Sequence, residues 1–162
     1  MELSTNITIP VAPAGYKSGF VGIIGRPNVG KSTLMNQLVG QKVAITSPVA
    51  QTTRNRLRGI LTTQAAQIIF VDTPGIHKPQ HQLGKVLVQN AKVAIQSVDL
   101  VLLIVDGSVI AGGGDRYIIN LLDKIQTPVI LGMNKLDLQP QDAWKIEASY
   151  YQLINPHPWQ II

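Results

Sequence analysis

The sequence predicts a doubly wound α/β fold, a mostly parallel sheet with helices on both faces, and three observations carry that expectation. From Gly19 onward, short runs of consecutive apolar residues alternate with amphipathic segments. The runs are continuously apolar, as expected of strands buried on both sides in a parallel sheet. A glycine-rich turn directly follows the first run, and the other motif-like stretches also follow runs, at the edge where such sheets hold ligands. A length of 162 residues with 45% hydrophobic content suits one domain of this kind.

Taken in order, residues 1–17 carry Pro10 and Pro13 and read as a flexible N-terminal tail, without the basic start or unbroken apolar stretch of a signal peptide. The first strand is expected over Phe20 to Ile24 ("FVGII") and the first helix over Lys31 to Leu38. Arg56 to Thr63 reads as an additional edge strand, and Ile68 to Val71 ("IIFV") as a buried one. A helix is expected from Gly84 to Ser97, with Val86, Leu87, Asn90, Val93, Ala94 and Val98 on one side and Lys85, Gln89, Lys92 and Gln96 on the other. Strands follow over Leu100 to Val105 and Val129 to Met133, separated by a helix over Asp115 to Lys124. Asp142 to Leu153 reads as the last helix, and Pro158 to Ile162 begins the last strand.

The longest apolar run, Leu100 to Val105, is far below the roughly 20 residues that cross a bilayer, and a soluble, cytoplasmic protein is expected. The chain has no cysteine, which excludes disulfides and thiolate metal sites and fits a reducing compartment. Fourteen Lys and Arg against nine Asp and Glu give a net charge of +5, the sign that favours phosphate-rich partners. A solvated surface with a slight basic excess explains that charge equally well, so spacing has to decide.

Directly after the first expected strand stands "GRPNVGKST", which fits G-x-x-x-x-G-K-[ST] with Gly25, Gly30, Lys31 and Ser32. Such a match arises by chance in about one chain of this length in a few hundred. Glycines let the backbone curl so that successive N–H groups face phosphate oxygens. Lys31 brings a mobile cation to the β- and γ-phosphates, and Ser32 supplies a hydroxyl for Mg2+. Asn28, Val29 and Thr33 complete the stretch as candidate nucleotide contacts.

Asp72, in "DTPG", follows its own strand and is placed to hold Mg2+ through water, while the Gly75 amide is free to meet a γ-phosphate. After the fourth apolar strand comes "NKLD". An ionised Asp137 accepts two hydrogen bonds from the N1–H and 2-amino group of guanine, Asn134 ties the base to the phosphate loop, and the Lys135 stem covers the ring. Adenine would leave a buried acceptor unpaired, so guanine is the expected base. Each of the last two motifs is weak by itself, and order and spacing after the phosphate loop strengthen both.

In "GRPNVGKSTLMNQLVG", "QTTRNR", "DTPGIHKPQHQLG" and "NKLD", in that order, the chain resembles the translation-factor-related P-loop GTPases and, more narrowly, the bacterial Era family, over about residues 18–162. "GIHKP" followed by "LG" distinguishes this likeness from the related Der and MnmE GTPase domains. The resemblance implies a Ras-like G domain that hydrolyses GTP as a molecular switch, with Mg2+ as cofactor. It implies a role in small ribosomal subunit assembly, with that subunit's rRNA and the 30S particle as partners, and peripheral membrane association. A switch threonine, Thr52 or Thr53, would complete the Mg2+ shell; Thr53 is favoured because it directly precedes Arg54.

Ile76 stands where many GTPases carry a glutamine that orients the attacking water, so slow hydrolysis is expected. In relatives with the same "PN", the residue matching Asn28 helps to hold K+ beside the phosphates, which makes K+-stimulated turnover an expectation here; a plain turn-forming role is the alternative. Lys31, Asn28, Thr53 and Gly75 are thus the candidate catalytic set. Arg54, Arg56 and Arg58 would share a face in an extended segment, as a basic stripe or an ordinary solvated edge. In the family a further base-binding loop and a KH-type RNA-binding domain follow the point where this sequence stops, and both are expected to be missing here. A non-cycling guanine-nucleotide binding module and an ATP-dependent P-loop enzyme are the rival readings.

Overall fold

The computed structural model describes residues 11–40, 56–72, 89 and 91–162, with Arg56, Leu57, Arg58 and Asp72 described by their backbone alone. Its strands are β1 (Lys17–Ile24), β2 (Arg56–Thr62), β3 (Ala66–Asp72), β4 (Leu100–Asp106), β5 (Val129–Asn134) and β6 (Gln160–Ile161). The helices are α1 (Lys31–Val39), α2 (described at 89 and 91–96), α3 (Gly113–Leu122) and α4 (Ala143–Ile154). The six strands form one sheet in the order β2-β3-β1-β4-β5-β6. β1 pairs in parallel with β3 and β4, and β5 in parallel with β4 and β6; β2 alone runs antiparallel, on β3. Parallel neighbours need crossovers, and the helices supply them on both faces.

The period of two along each strand divides the core. Ile24, Val101, Leu103, Val105 and Leu131 face one way, where they pack with Ala91 and Ile95 of α2, Ile118 and Leu122 of α3, and Ile146, Tyr150 and Ile154 of α4. Ile23, Phe70 and Ile104 face the other way, under Met35 of α1 and Val29 of the loop before it. Residues such as Ile95, Val101 and Leu131, all 0% exposed, each contribute about 1.5–3 kcal/mol of hydrophobic stabilisation.

Element order agrees with the expectation throughout, and most differences lie at the ends. β1 begins at Lys17, inside the segment expected to be tail, because its first half pairs with β3 from Ala66 onward. That first half is not buried on both sides as expected: Phe20 is 44% exposed, and full burial starts only at Gly22. Val93 is likewise exposed, where the expected helix placed it on the apolar side; Ala91, Ala94, Ile95 and Val98 form the buried stripe instead. Val86 and Leu87, expected on the same side, lie outside the described residues. In β2 a register shift between Leu57 and Gly59 interrupts the period of two on which a shared face for Arg56 and Arg58 depended; Arg54 lies outside the described residues.

Candidate functional site

β1 delivers the chain into the glycine-rich turn, and α1 begins at Lys31 with Gly30 as its N-cap. Gly25 is buried, and a side chain there would run into the carbonyl oxygen of Ile104 on β4. Gly30 has φ +93°, in the left-handed region, and a Cβ would collide with the Asn134 amide. Asn28 also lies in the left-handed region, at φ +63°, which asparagine tolerates better than most residues, and its side chain is exposed. Val29, 2% exposed, drives into the core under α1 and so pins the turn from beneath. Ser32 and Thr33 lie exposed in the first turn of α1. The Lys31 ammonium donates to the carbonyl oxygens of Gly25 at 2.8 Å and Arg26 at 2.6 Å, resting on the loop it belongs to.

Asp72 is the last residue of β3, in register with Ile23 of β1, so its backbone stands at the same sheet edge as the glycine-rich turn. Its side chain lies outside the described residues, as do Thr52, Thr53, Gly75 and Ile76. Among the described residues no group of three or more His, Cys, Asp or Glu could hold a metal ion. A serine hydroxyl and one carboxylate nevertheless suit Mg2+, a hard cation that keeps several waters and takes phosphate oxygens into its shell.

The base loop begins where β5 ends. Asn134 is the last residue of that strand, and its Nδ2 donates to the carbonyl oxygen of Val29 at 2.9 Å, across 105 positions of sequence. This bond joins "NKLD" to the phosphate turn. Lys135 is left-handed at φ +63° and leads into a single 3-10 turn, Leu136–Leu138, which carries Asp137. Asp137 is exposed, on a turn that projects beyond β5 with Leu136 and Leu138 also exposed.

The Lys135 ammonium pairs with Asp106 Oδ2 at 2.7 Å, so its head is anchored at the end of β4. Asp106 also accepts the Ser108 N–H at 3.0 Å and the Ser108 hydroxyl. Burial alone would raise the Asp106 carboxyl, but the bonds from Lys135 and Ser108 outweigh it and hold the group below its ordinary value. Gly107 N–H donates to Asn134 O at 2.7 Å, and Gln139 Nε2 donates to Gly107 O at 3.0 Å. The end of β4 therefore carries the base loop.

A second set of contacts steadies the phosphate turn. Arg26 Nε donates to Asp115 Oδ1 at 2.8 Å, and Asp115, only 2% exposed, accepts the Gly112 N–H on its other oxygen at 2.8 Å. Burial opposes the charge on Arg26, but the bond and charge of Asp115 prevail and raise its pKa. Tyr150, fully buried in α4, stands beside this pair and donates its hydroxyl to Asp106 O at 3.1 Å. Burial first, and then the Asp115 carboxylate, push the Tyr150 phenol up to about 12.

The structure thus brings together Gly25, Asn28, Val29, Gly30, Lys31, Ser32 and Asn134, with Lys135 and Asp137 following in one loop. Sequence reading missed Arg26, Asp106, Asp115 and Tyr150. Asp106 had a signal, a carboxylate ending an apolar run as Asp72 does. The Arg26–Asp115 pair spans 89 positions and had none. A cavity of about 590 Å³ lined by Leu122, Pro128, Pro156, His157 and Trp159 lies at the opposite edge of the sheet, where β4, β5 and β6 begin, and contains none of the expected site residues.

Residues 20–135 match the family described as 50S ribosome-binding GTPase. GTPase Era of Rippkaea orientalis is 72% identical over 155 residues, which is 96% of this chain and 49% of the relative. Among solved structures, Era in complex with MgGDPNP and nucleotides 1506–1542 of 16S ribosomal RNA superposes with a TM-score of 0.69 at 38% identity, covering 91% of this chain and 51% of that one. A variant of Aquifex aeolicus Era bound to GDP.AlF4- gives a TM-score of 0.67, also at 38% identity, covering 90% and 51%. The chain spans about half the length of the relatives it matches. With a P-loop between β1 and α1 and the family match running unbroken from β1 to Lys135, the chain belongs to the 50S ribosome-binding GTPase family, in which it is similar to GTPase Era.

Proposed function

We propose that this chain is the G domain of a guanine-nucleotide switch, binding GTP and GDP with Mg2+ and hydrolysing GTP slowly. The observation that carries the reading is the Asn134–Val29 bond, which fixes a base-reading motif against a phosphate-binding turn. In this account Lys31 exchanges the Gly25 and Arg26 carbonyls for β- and γ-phosphate oxygens, and amides of residues 28–33 receive the remaining phosphate oxygens at the start of α1. Ser32, Thr53 and, through water, Asp72 hold Mg2+, which when bound neutralises charge on the phosphates. Asp137 accepts the N1–H and 2-amino group of guanine, and Asn134 and Lys135 hold the ring. The Gly75 amide meets the γ-phosphate, and Ile76 offers no hydrogen bond to the attacking water, which keeps turnover slow.

Asn28 places an exposed amide on the outer side of the turn, and we assign it a K+ ligand role that offsets charge on the leaving oxygen. In its cellular setting the protein assists small ribosomal subunit assembly in the cytoplasm, contacts rRNA and the 30S particle, and associates peripherally with the membrane. Support for the RNA role is the likeness to an Era solved with 16S rRNA. The domain layout is an N-terminal segment through residue 16 followed by the G domain, which starts with β1 at Lys17. Single-turnover hydrolysis of GTP and of ATP, in potassium and in sodium at equal ionic strength, tests the reading. GTP cleavage that is faster in potassium is expected; cleavage of ATP at a comparable rate refutes the guanine assignment, and equal rates in the two salts refute the K+ role.

A further inference from the structure

The Arg26–Asp115 pair has a geometry that reaches beyond stability. Arg26 lies inside the phosphate turn, next to Gly25, and its carbonyl oxygen, like that of Gly25, accepts a hydrogen bond from the Lys31 ammonium. Its side chain leaves the turn and is caught by Asp115, at 2.8 Å, in the first turn of α3. Asp115 is itself fixed, 2% exposed and accepting the N–H of Gly112, the N-cap of the same helix. Gly114 leaves the space through which the Arg26 stem passes: a Cβ there would lie 2.6 Å from Arg26 Cδ. One residue therefore presents a carbonyl to Lys31 and a guanidinium to α3.

We propose that Arg26, Asp115 and Gly114 are positioning residues that set where Lys31 rests, so that α3 governs how well the turn grips a β-phosphate. This rests on the nucleotide-binding reading above. When the clamp is lost, the Arg26 carbonyl drifts and Lys31 loses the placement from which it reaches the β-phosphate, whereas an α-phosphate held by backbone amides is little affected.

The test compares GDP with GMP, each displacing fluorescent GDP from the purified chain, for wild type, Asp115→Asn and Gly114→Ala. Asp115→Asn keeps size but removes the charge and one of the two acceptor oxygens, so that Arg26 Nε and the Gly112 N–H can no longer both be satisfied. Gly114→Ala keeps both partner residues but displaces the Arg26 stem, from a helix position that tolerates alanine. In both variants the GDP-over-GMP preference should fall about tenfold, while GMP affinity stays within about twofold. A merely structural role would lower the folded fraction for both nucleotides alike and leave that ratio unmoved. An unchanged ratio in either variant that still binds GDP overturns the proposal, and Gly114→Ala answers alone if Asp115→Asn does not fold. A wild-type chain that binds neither nucleotide overturns the function reading and this inference together, which separates the two failures.

Discussion

The phosphate turn and the base loop are held in opposite ways. The turn owes its shape to what is missing: Gly25 and Gly30 have no side chain where the Ile104 carbonyl and the Asn134 amide pass, and the backbone curls around that space. The base loop owes its place to what is present, namely Asn134 on Val29 O, Lys135 on Asp106, and Gln139 on Gly107 O. A spacing of glycines is visible in a sequence. A set of tethers drawn from distant elements is not.

The largest effect is expected where absence is the device. Gly30→Ala must accommodate φ +93° and a collision with Asn134, and GDP affinity should fall more than about a hundredfold, roughly 3 kcal/mol, with the far-UV circular dichroism unchanged. Removing a tether that guards a buried charge comes next. Arg26→Ala leaves the Asp115 carboxylate, 2% exposed in the intact pair, with only backbone help, and urea unfolding should show a loss of about 2 kcal/mol, less than the roughly 3–5 kcal/mol of a fully buried pair because the Arg26 side chain is 32% exposed. Asn134→Ala cuts the bond between the two loops and should weaken GDP by about tenfold, near 1.4 kcal/mol, and shrink the preference over ADP.

The smallest effect is a pH dependence. The Asp106 carboxyl is held below its ordinary value in the folded chain, so its contribution is present above the unfolded pKa of about 4 and is lost as pH falls through the lower folded value. Asp106→Asn should remove about 1 kcal/mol at neutral pH and flatten stability against pH below about 4, as followed by acid titration of urea midpoints. If Asp106→Asn costs more GDP affinity than Gly30→Ala, the contrast between the two loops is wrong.

Legibility in the sequence followed the same division. Strands β4 and β5 were readable from unbroken apolar runs, because burial on both faces leaves little room for polar residues, and β3 from the run Ile68 to Val71, of which Phe70 and Val71 are buried. β1 was readable only in its second half, since Lys17 and Ser18 join the sheet through backbone pairing with β3 and carry no apolar signal. The phosphate turn could be read residue by residue. The exposure of Asp137 could not, because it depends on how far the 3-10 turn Leu136–Leu138 projects past the sheet edge. Val93 was assigned to the wrong face because a helical stripe can be phased in more than one way until a neighbour such as Ile95 is fixed against the sheet. Arg26 read as one of the free positions of the loop motif, and only the crossover from β4 into α3 brings Asp115 beside it.

The central claim is that the two loops form one guanine-nucleotide site. It is tested most directly by titrating the purified chain into fluorescent GDP with Mg2+ in potassium buffer and competing with unlabelled GDP and ADP. Displacement by GDP and not by ADP is the predicted result. Displacement by both nucleotides at similar concentrations would contradict it, because the phosphate turn would then be binding without the base loop reading anything.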